Sequence, residues 1–79
     1  MKVELISPEK KIFESDEVIL VQLPGVDGLF EILNHHASMM ALLTKGKIKI
    51  KDIQNKVIFF QIEKGVVEVK NNEVTILSQ

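Results

Sequence analysis

The residues best equipped for chemistry in this 79-residue chain fall together in LPGVDGLFEILNHHASMMALL, from Leu23 to Leu43. His35 and His36 are adjacent, Ser38 follows them, and Asp27 and Glu31 precede them. A zinc site needs its ligands to converge at characteristic spacings, and those spacings are absent here. In a strand, neighbouring side chains leave opposite faces, so two adjacent imidazoles cannot close on one ion. A hydrolytic site needs a nucleophile and an orienting carboxylate within reach of a histidine, and the nearness of Ser38 in sequence supplies neither. The expectation is surface histidines at a strand junction, with no catalytic residue, no metal and no cofactor. Pro24-Gly25-Val26-Asp27-Gly28 superficially resembles a phosphate loop. It lacks the lysine-serine/threonine ending, and no amphipathic helix follows to hold an anion, so it reads as a turn.

The elements that must position this stretch read as strands. Lys47-Ile48-Lys49-Ile50-Lys51 alternates strictly, which puts isoleucines on one face and lysines on the other. Val67-Glu68-Val69-Lys70 and Val74-Thr75-Ile76 repeat the pattern around Asn71-Asn72, a pair that tolerates positive φ and predicts a tight hairpin. Val57-Ile58-Phe59-Phe60 is apolar throughout, as expected of a central strand or one buried on both faces. Lys64-Gly65 is expected to turn the chain back. Val3 to Ile6, Ile12-Phe13 and Val18 to Leu23 supply the earlier strands. Ala37 to Leu43 contains good helix formers, but it is short and uncapped, and strand is the preferred reading. Turn signals recur about every 8–12 residues, the signature of an all-β sandwich or barrel. The fold class is therefore all-β: one domain over residues 1–79, a small antiparallel β-sandwich of about eight to ten short strands.

Composition narrows the function. The chain is 46% hydrophobic and has no cysteine, so its core forms without disulfides or thiolate metal sites. Net charge is −1, every basic residue is lysine, and tyrosine and tryptophan are absent. Neither a general attraction to polyanions nor a set of stacking platforms follows, which argues against nucleic-acid binding. The opening MKVELISPEKK has no long apolar run. A signal peptide, a membrane span and direct lipid insertion are thus not expected, and the chain reads as soluble and intracellular. Met39-Met40-Ala41-Leu42-Leu43 differs from the rest: five consecutive apolar residues in a strand cannot all face one core. Alternate members must meet another layer or another subunit, and methionine suits irregular interfaces. Leu29-Phe30 raises the same issue beside the turn, so the stretch reads as a docking surface.

The order of these features resembles a family. VILVQLPGVDGLFEILNHHASMMALLTKGKIKI followed by IEKGVVEVKNNEVTIL looks like the N-terminal β-sandwich of the epsilon subunit of F-type ATP synthases. That family shows a glycine turn, an Ile-Leu-Pro-Gly-His-Ala-Pro-Leu-Leu segment, a Gly-x-Ile-x-Ile strand and a Gly-Gly-x-x-Glu-Val hairpin. Gly28 matches the turn, Ile32-Leu33 and His36-Ala37 the central segment, Gly46 to Ile50 the strand, and Gly65 to Val69 the hairpin. Glu31 replaces the second turn glycine, Asn34-His35 the Pro-Gly, Ser38 the proline and Lys64 the first hairpin glycine. Asn34 is expected to supply the turn geometry, whereas Glu31 cannot take positive φ cheaply. The family's C-terminal helical hairpin has no counterpart before Gln79, as expected of a natural short form or of a domain cut from a longer protein, and neither ATP binding nor helix-mediated inhibition is assigned to these residues.

The resemblance implies a non-catalytic central-stalk subunit that couples gamma to the c-ring during proton-driven ATP synthesis. It further implies a peripheral place at the cytoplasmic face of the energy-transducing membrane, as part of a complex. Gly28, Leu29, Phe30 and Glu31 are expected on the c-ring side. Asn34, His35, His36, Met39, Met40 and Ala41 are expected at or near gamma. The alternative is a free-standing β-sandwich interaction module with an unknown partner.

Overall fold

Alternation decides the architecture. In a computed structural model that describes residues Met1–Gln79, the inward members of most strands are buried or half-buried and the outward members are more exposed. The strands are β1 (Lys2–Ile6), β2 (Lys11–Ser15), β3 (Val18–Gly25), β4 (Gly28–Leu33), β5 (Met39–Leu43), β6 (Gly46–Asp52), β7 (Val57–Ile62), β8 (Gly65–Lys70) and β9 (Glu73–Ser78). Hydrogen bonding orders them β2-β1-β9-β8-β5-β3-β6-β7, with β4 added to β3. A single pair, Gly25 with Leu43, joins β3 to β5. The path folds over at that corner into two layers: β2-β1-β9-β8-β5, the first sheet, and β4-β3-β6-β7, the second.

Val3, Leu5, Val67, Val69, Val74 and Ile76 of the first sheet meet Val21, Leu23, Ile32, Ile48 and Ile50 of the second, all nearly inaccessible. Full burial of such a side chain contributes about 1.5–3 kcal/mol. At the far edge Phe13 of β2 and Phe60 of β7 close the gap, with ring centroids 5.5 Å apart. No buried side-chain polar atom lacks a hydrogen-bond partner.

Asn71 and Asn72, at φ 53° and 60°, form the expected two-residue turn between β8 and β9. The turn at Glu63-Lys64 behaves otherwise. It does not fold β8 back on β7 but carries the chain between sheets, since β7 pairs with β6 and β8 with β5 and β9. The expectation of a central or doubly buried Val57–Phe60 is also corrected. β7 has one hydrogen-bonded neighbour, and only Ile58 and Phe60 lean on the core. Phe59, 58% exposed, looks outward. An apolar run reports affinity for a sheet but not position within it. The sandwich is antiparallel except for β1, which runs parallel to β9 from Lys2↔Glu73 to Ile6↔Leu77.

Candidate functional site

The β3–β4 hairpin presents the first group of candidate residues. A two-residue loop, Val26-Asp27, joins Gly25 to Gly28, and the register then runs Pro24↔Leu29, Leu23↔Phe30 and Gln22↔Glu31. Period-two alternation splits the apolar pair. Leu29 is 65% exposed, while Phe30 is half-buried and packs on the core. Gly25 allows this, because a Cβ there would lie 2.8 Å from Phe30 Cε1 and 2.8 Å from the Gly28 carbonyl oxygen. Phe30 is therefore a supporting residue more than a surface anchor. Glu31 is exposed in mid-strand, where its carboxylate accepts from Gln22 Nε2 at 3.1 Å. The backbone demand for positive φ falls on Gly28, at 125°.

The second group divides three ways. Asn34 and His35 brace the turn after β4. Asn34 Oδ1 accepts from the Met1 nitrogen at 2.7 Å, and the His35 N–H donates to Asn72 Oδ1 at 2.8 Å. The left-handed residue is His35, at φ 63°, not Asn34 as its residue type suggested. His35 thus occupies the position matched to the family's glycine. Both histidines are exposed and lie in the turn between β4 and β5, not in a strand, so the alternation argument applied to them does not hold. His36 Nδ1 lies 2.8 Å from the Ala37 carbonyl oxygen. No three metal-ligating side chains come together anywhere in the chain.

Met39 and Ala41, paired with Val69 and Val67, pack on the core. Met40 and Leu42, paired with Glu68 and Val66, point outward, 69% and 61% exposed. The two apolar clusters singled out in the sequence meet in space. Leu29 and Phe30 of the hairpin and Met40 and Leu42 of β5 line one open groove of ≈450 Å³ at the corner where the sheets join. Asn34, His35, His36 and Glu31 do not line it.

Sequence reasoning missed a second apolar groove of ≈550 Å³ on the outer side of the first sheet, lined by Ile6, Pro8, Leu42, Val66 and Leu77 and bounded by Val26. One cross-strand row builds it, through Leu42↔Val66, Val66↔Leu77 and Leu77↔Ile6. Each residue looks ordinary in its own strand, and only the register shows the row. Val26 and Leu42 line both grooves, so the apolar surface runs around the corner without a break. A surface of this kind is suited to protein contact.

The family described as "ATP synthase, Delta/Epsilon chain, beta-sandwich domain" matches residues 1–79. The ATP synthase epsilon chain of Chlorobium limicola is 38% identical over 78 residues, covering 99% of this chain and 88% of that protein. The epsilon chain of Protochlamydia amoebophila is 40% identical over 74 residues, covering 94% of this chain but only 50% of that protein. The chain thus spans most of one relative and half of the other. Among solved structures, the central stalk and c-ring of Tetrahymena thermophila mitochondrial ATP synthase contains a chain that superposes with TM-score 0.84 at 23% identity. The match covers all of this chain and 63% of that one. The Euglena gracilis mitochondrial enzyme contains one with TM-score 0.90 at 18% identity, covering 96% and 48%. At those identities the likeness establishes the fold. With the family matched from end to end, the chain belongs to the ATP synthase delta/epsilon chain β-sandwich family.

Proposed function

We propose that this chain is a rotor-stalk component of an F-type ATP synthase, coupling the gamma subunit to the c-ring and performing no chemistry itself. The observation that supports it most is the apolar surface that runs around the sheet corner, lined on both sides by Val26 and Leu42. A coupling element must hold two partners and resist deformation between them. Here 40 backbone hydrogen bonds lie within strands, and a core of 15 buried residues ties the sheets together. Close-packed interiors transmit strain with little compression. Leu29, at the hairpin tip beside Gly28, is the residue offered to the c-ring, with Glu31 as a polar contact and Phe30 holding the tip from beneath. Met40 and Leu42 carry the surface on toward gamma, with His36 nearby, and Asn34 and His35 fix the turn between. The subunit sits peripherally, at the cytoplasmic face of the coupling membrane, as part of the complex.

Co-expression with gamma and the c-ring of the same enzyme tests the assignment. The chain should co-purify with both, and cysteines placed at Leu29 and Met40 should cross-link to different subunits. A chain that folds normally yet leaves both partners unbound overturns it.

A further inference from the structure

The outward side of the second sheet carries a charge pattern that the coupling surface does not use. Ile48 and Ile50 of β6 are buried, so alternation sends Lys47, Lys49 and Lys51 outward in a line down the middle of the sheet. Their cross-strand neighbours are uncharged: Gln61, Phe59 and Val57 on β7, and Gln22 and Leu20 on β3. On the first sheet the same chain treats lysine differently. There Lys2 pairs with Glu14 and Lys11 with Glu4 across strands, and Lys11 also reaches Glu14 along β2. None of the three β6 lysines has a carboxylate within ion-pair distance. The acid on their face, Glu31, stands two strands away, engaged by Gln22. Lys47 Nζ instead lies 6.0 Å from the centroid of Phe59, itself more than half exposed.

The geometry says what complements this row. Outward residues two apart on a strand are about 6.7 Å apart, and carboxylates four residues apart on a helix are about 6 Å apart. A helix about 10 Å across, laid along β6, also reaches the neighbouring strands about 4.8 Å to either side. Those strands present Val57 and Phe59 on one flank and Leu20, with Leu33 beyond it, on the other.

We propose that this face docks an acidic amphipathic helix of a partner protein, with carboxylates at i, i+4 and i+8 meeting Lys47, Lys49 and Lys51 and with apolar side chains on the flanks. The apolar flanks favour a protein over a polyanion, because phosphate offers them nothing to bury against. A net charge of −1 also gives no long-range attraction to nucleic acid or anionic lipid. The inference does not depend on the rotor assignment, since it follows from the lysine row and its neighbours alone.

The test uses a synthetic helical peptide of about three turns with glutamates at i, i+4 and i+8 and leucines flanking them. The peptide is titrated into the isotope-labelled chain while amide shifts are followed. Saturable shifts should centre on residues 47–51 and 57–61. A peptide with glutamine in place of glutamate should bind at least about tenfold more weakly, as the loss of interfacial charge pairs requires. Raising salt from about 0.05 to about 0.5 M should weaken the glutamate peptide further. The K47E/K49E/K51E variant should lose the interaction. K47Q/K49Q/K51Q repeats the test without clustering acids, should the first variant fold poorly. Absence of saturable shifts, or equal binding of both peptides, overturns the proposal. So does binding to phosphatidylglycerol vesicles or to a single-stranded oligonucleotide through the same lysines when the glutamate peptide does not bind.

Discussion

Leu29 and Phe30 are neighbours in sequence, and serine in place of each should do opposite things. Leu29 keeps about a third of its surface covered. Full burial of a leucine is worth about 1.5–3 kcal/mol, so L29S should cost roughly 0.5–1 kcal/mol. Phe30 is half-buried against the core. Truncating a fully buried phenylalanine costs about 3–5 kcal/mol, so F30S should cost roughly 2 kcal/mol. For a domain of this size each kcal/mol shifts Tm by about 4–8 °C. Thermal unfolding followed by circular dichroism should therefore separate the two variants by roughly 5–10 °C. Co-purification with gamma and the c-ring should rank them the other way once each is assayed below its transition. L29S, nearly as stable as the parent, should assemble poorly, and F30S should assemble in proportion to the fraction folded. Equal losses of Tm would refute the split into surface and supporting residue. Normal assembly of L29S would refute the role given to the hairpin tip.

Gly65→Ala should destabilise by about 1–3 kcal/mol, because the added Cβ would lie 2.5 Å from the Leu77 carbonyl oxygen, a backbone atom that moves only with its strand. Urea titration checks this, with Lys64→Gly as a control expected to change little. His35→Gly should raise stability by about 0.5 kcal/mol by relieving the left-handed backbone, and His35→Val should lower it by about 1–2 kcal/mol. The same titrations measure both signs. The exposed cluster around Lys11 makes stability depend on pH. Hydrogen bonds from Lys11 hold the Glu14 carboxyl below its ordinary value of 4.5, and those to Glu14 and then Glu4 raise the Lys11 ammonium above 10.5. The Glu14 contribution is present above the unfolded value and vanishes as pH falls through the folded one. The Lys11 contribution is present below 10.5 and vanishes as pH rises through its folded value. Parent and Glu14→Gln should therefore differ at neutral pH, converge in strong acid, and differ less in high salt.

Much of the sandwich was legible because alternation is a local property. Ile48 and Ile50 against Lys47, Lys49 and Lys51, and the positive φ at Asn71-Asn72, can be read without knowing any neighbour. Position within a sheet cannot. VIFF reads alike whether β7 is central or at an edge, and Glu63-Lys64 does not announce that it leads into a different layer. Of the candidate site, the facing of Leu29 with Met40 and Leu42 is a consequence of the Gly25–Leu43 corner, which no local pattern encodes. The apolar material was visible, but the register that assembles Ile6, Leu42, Val66 and Leu77 into a second groove was not. Asn34 drew the turn assignment by residue type. His35 holds it because Asn34 is occupied with Met1 and Asn72 receives the His35 amide.

The parallel pairing of β1 with β9 bears on how the molecule comes into being. β1 sits between β2 and β9, so half of its backbone groups must wait for β9 to be synthesised. Until then the β1–β2 hairpin can form, but the first sheet has an open seam beside β8, and Val3 and Leu5 have only part of their cover. Pairings between distant segments carry the largest loop-closure cost and form late. The first sheet should therefore close in one step after β9 emerges, and a chain cut before β9 should leave that seam open.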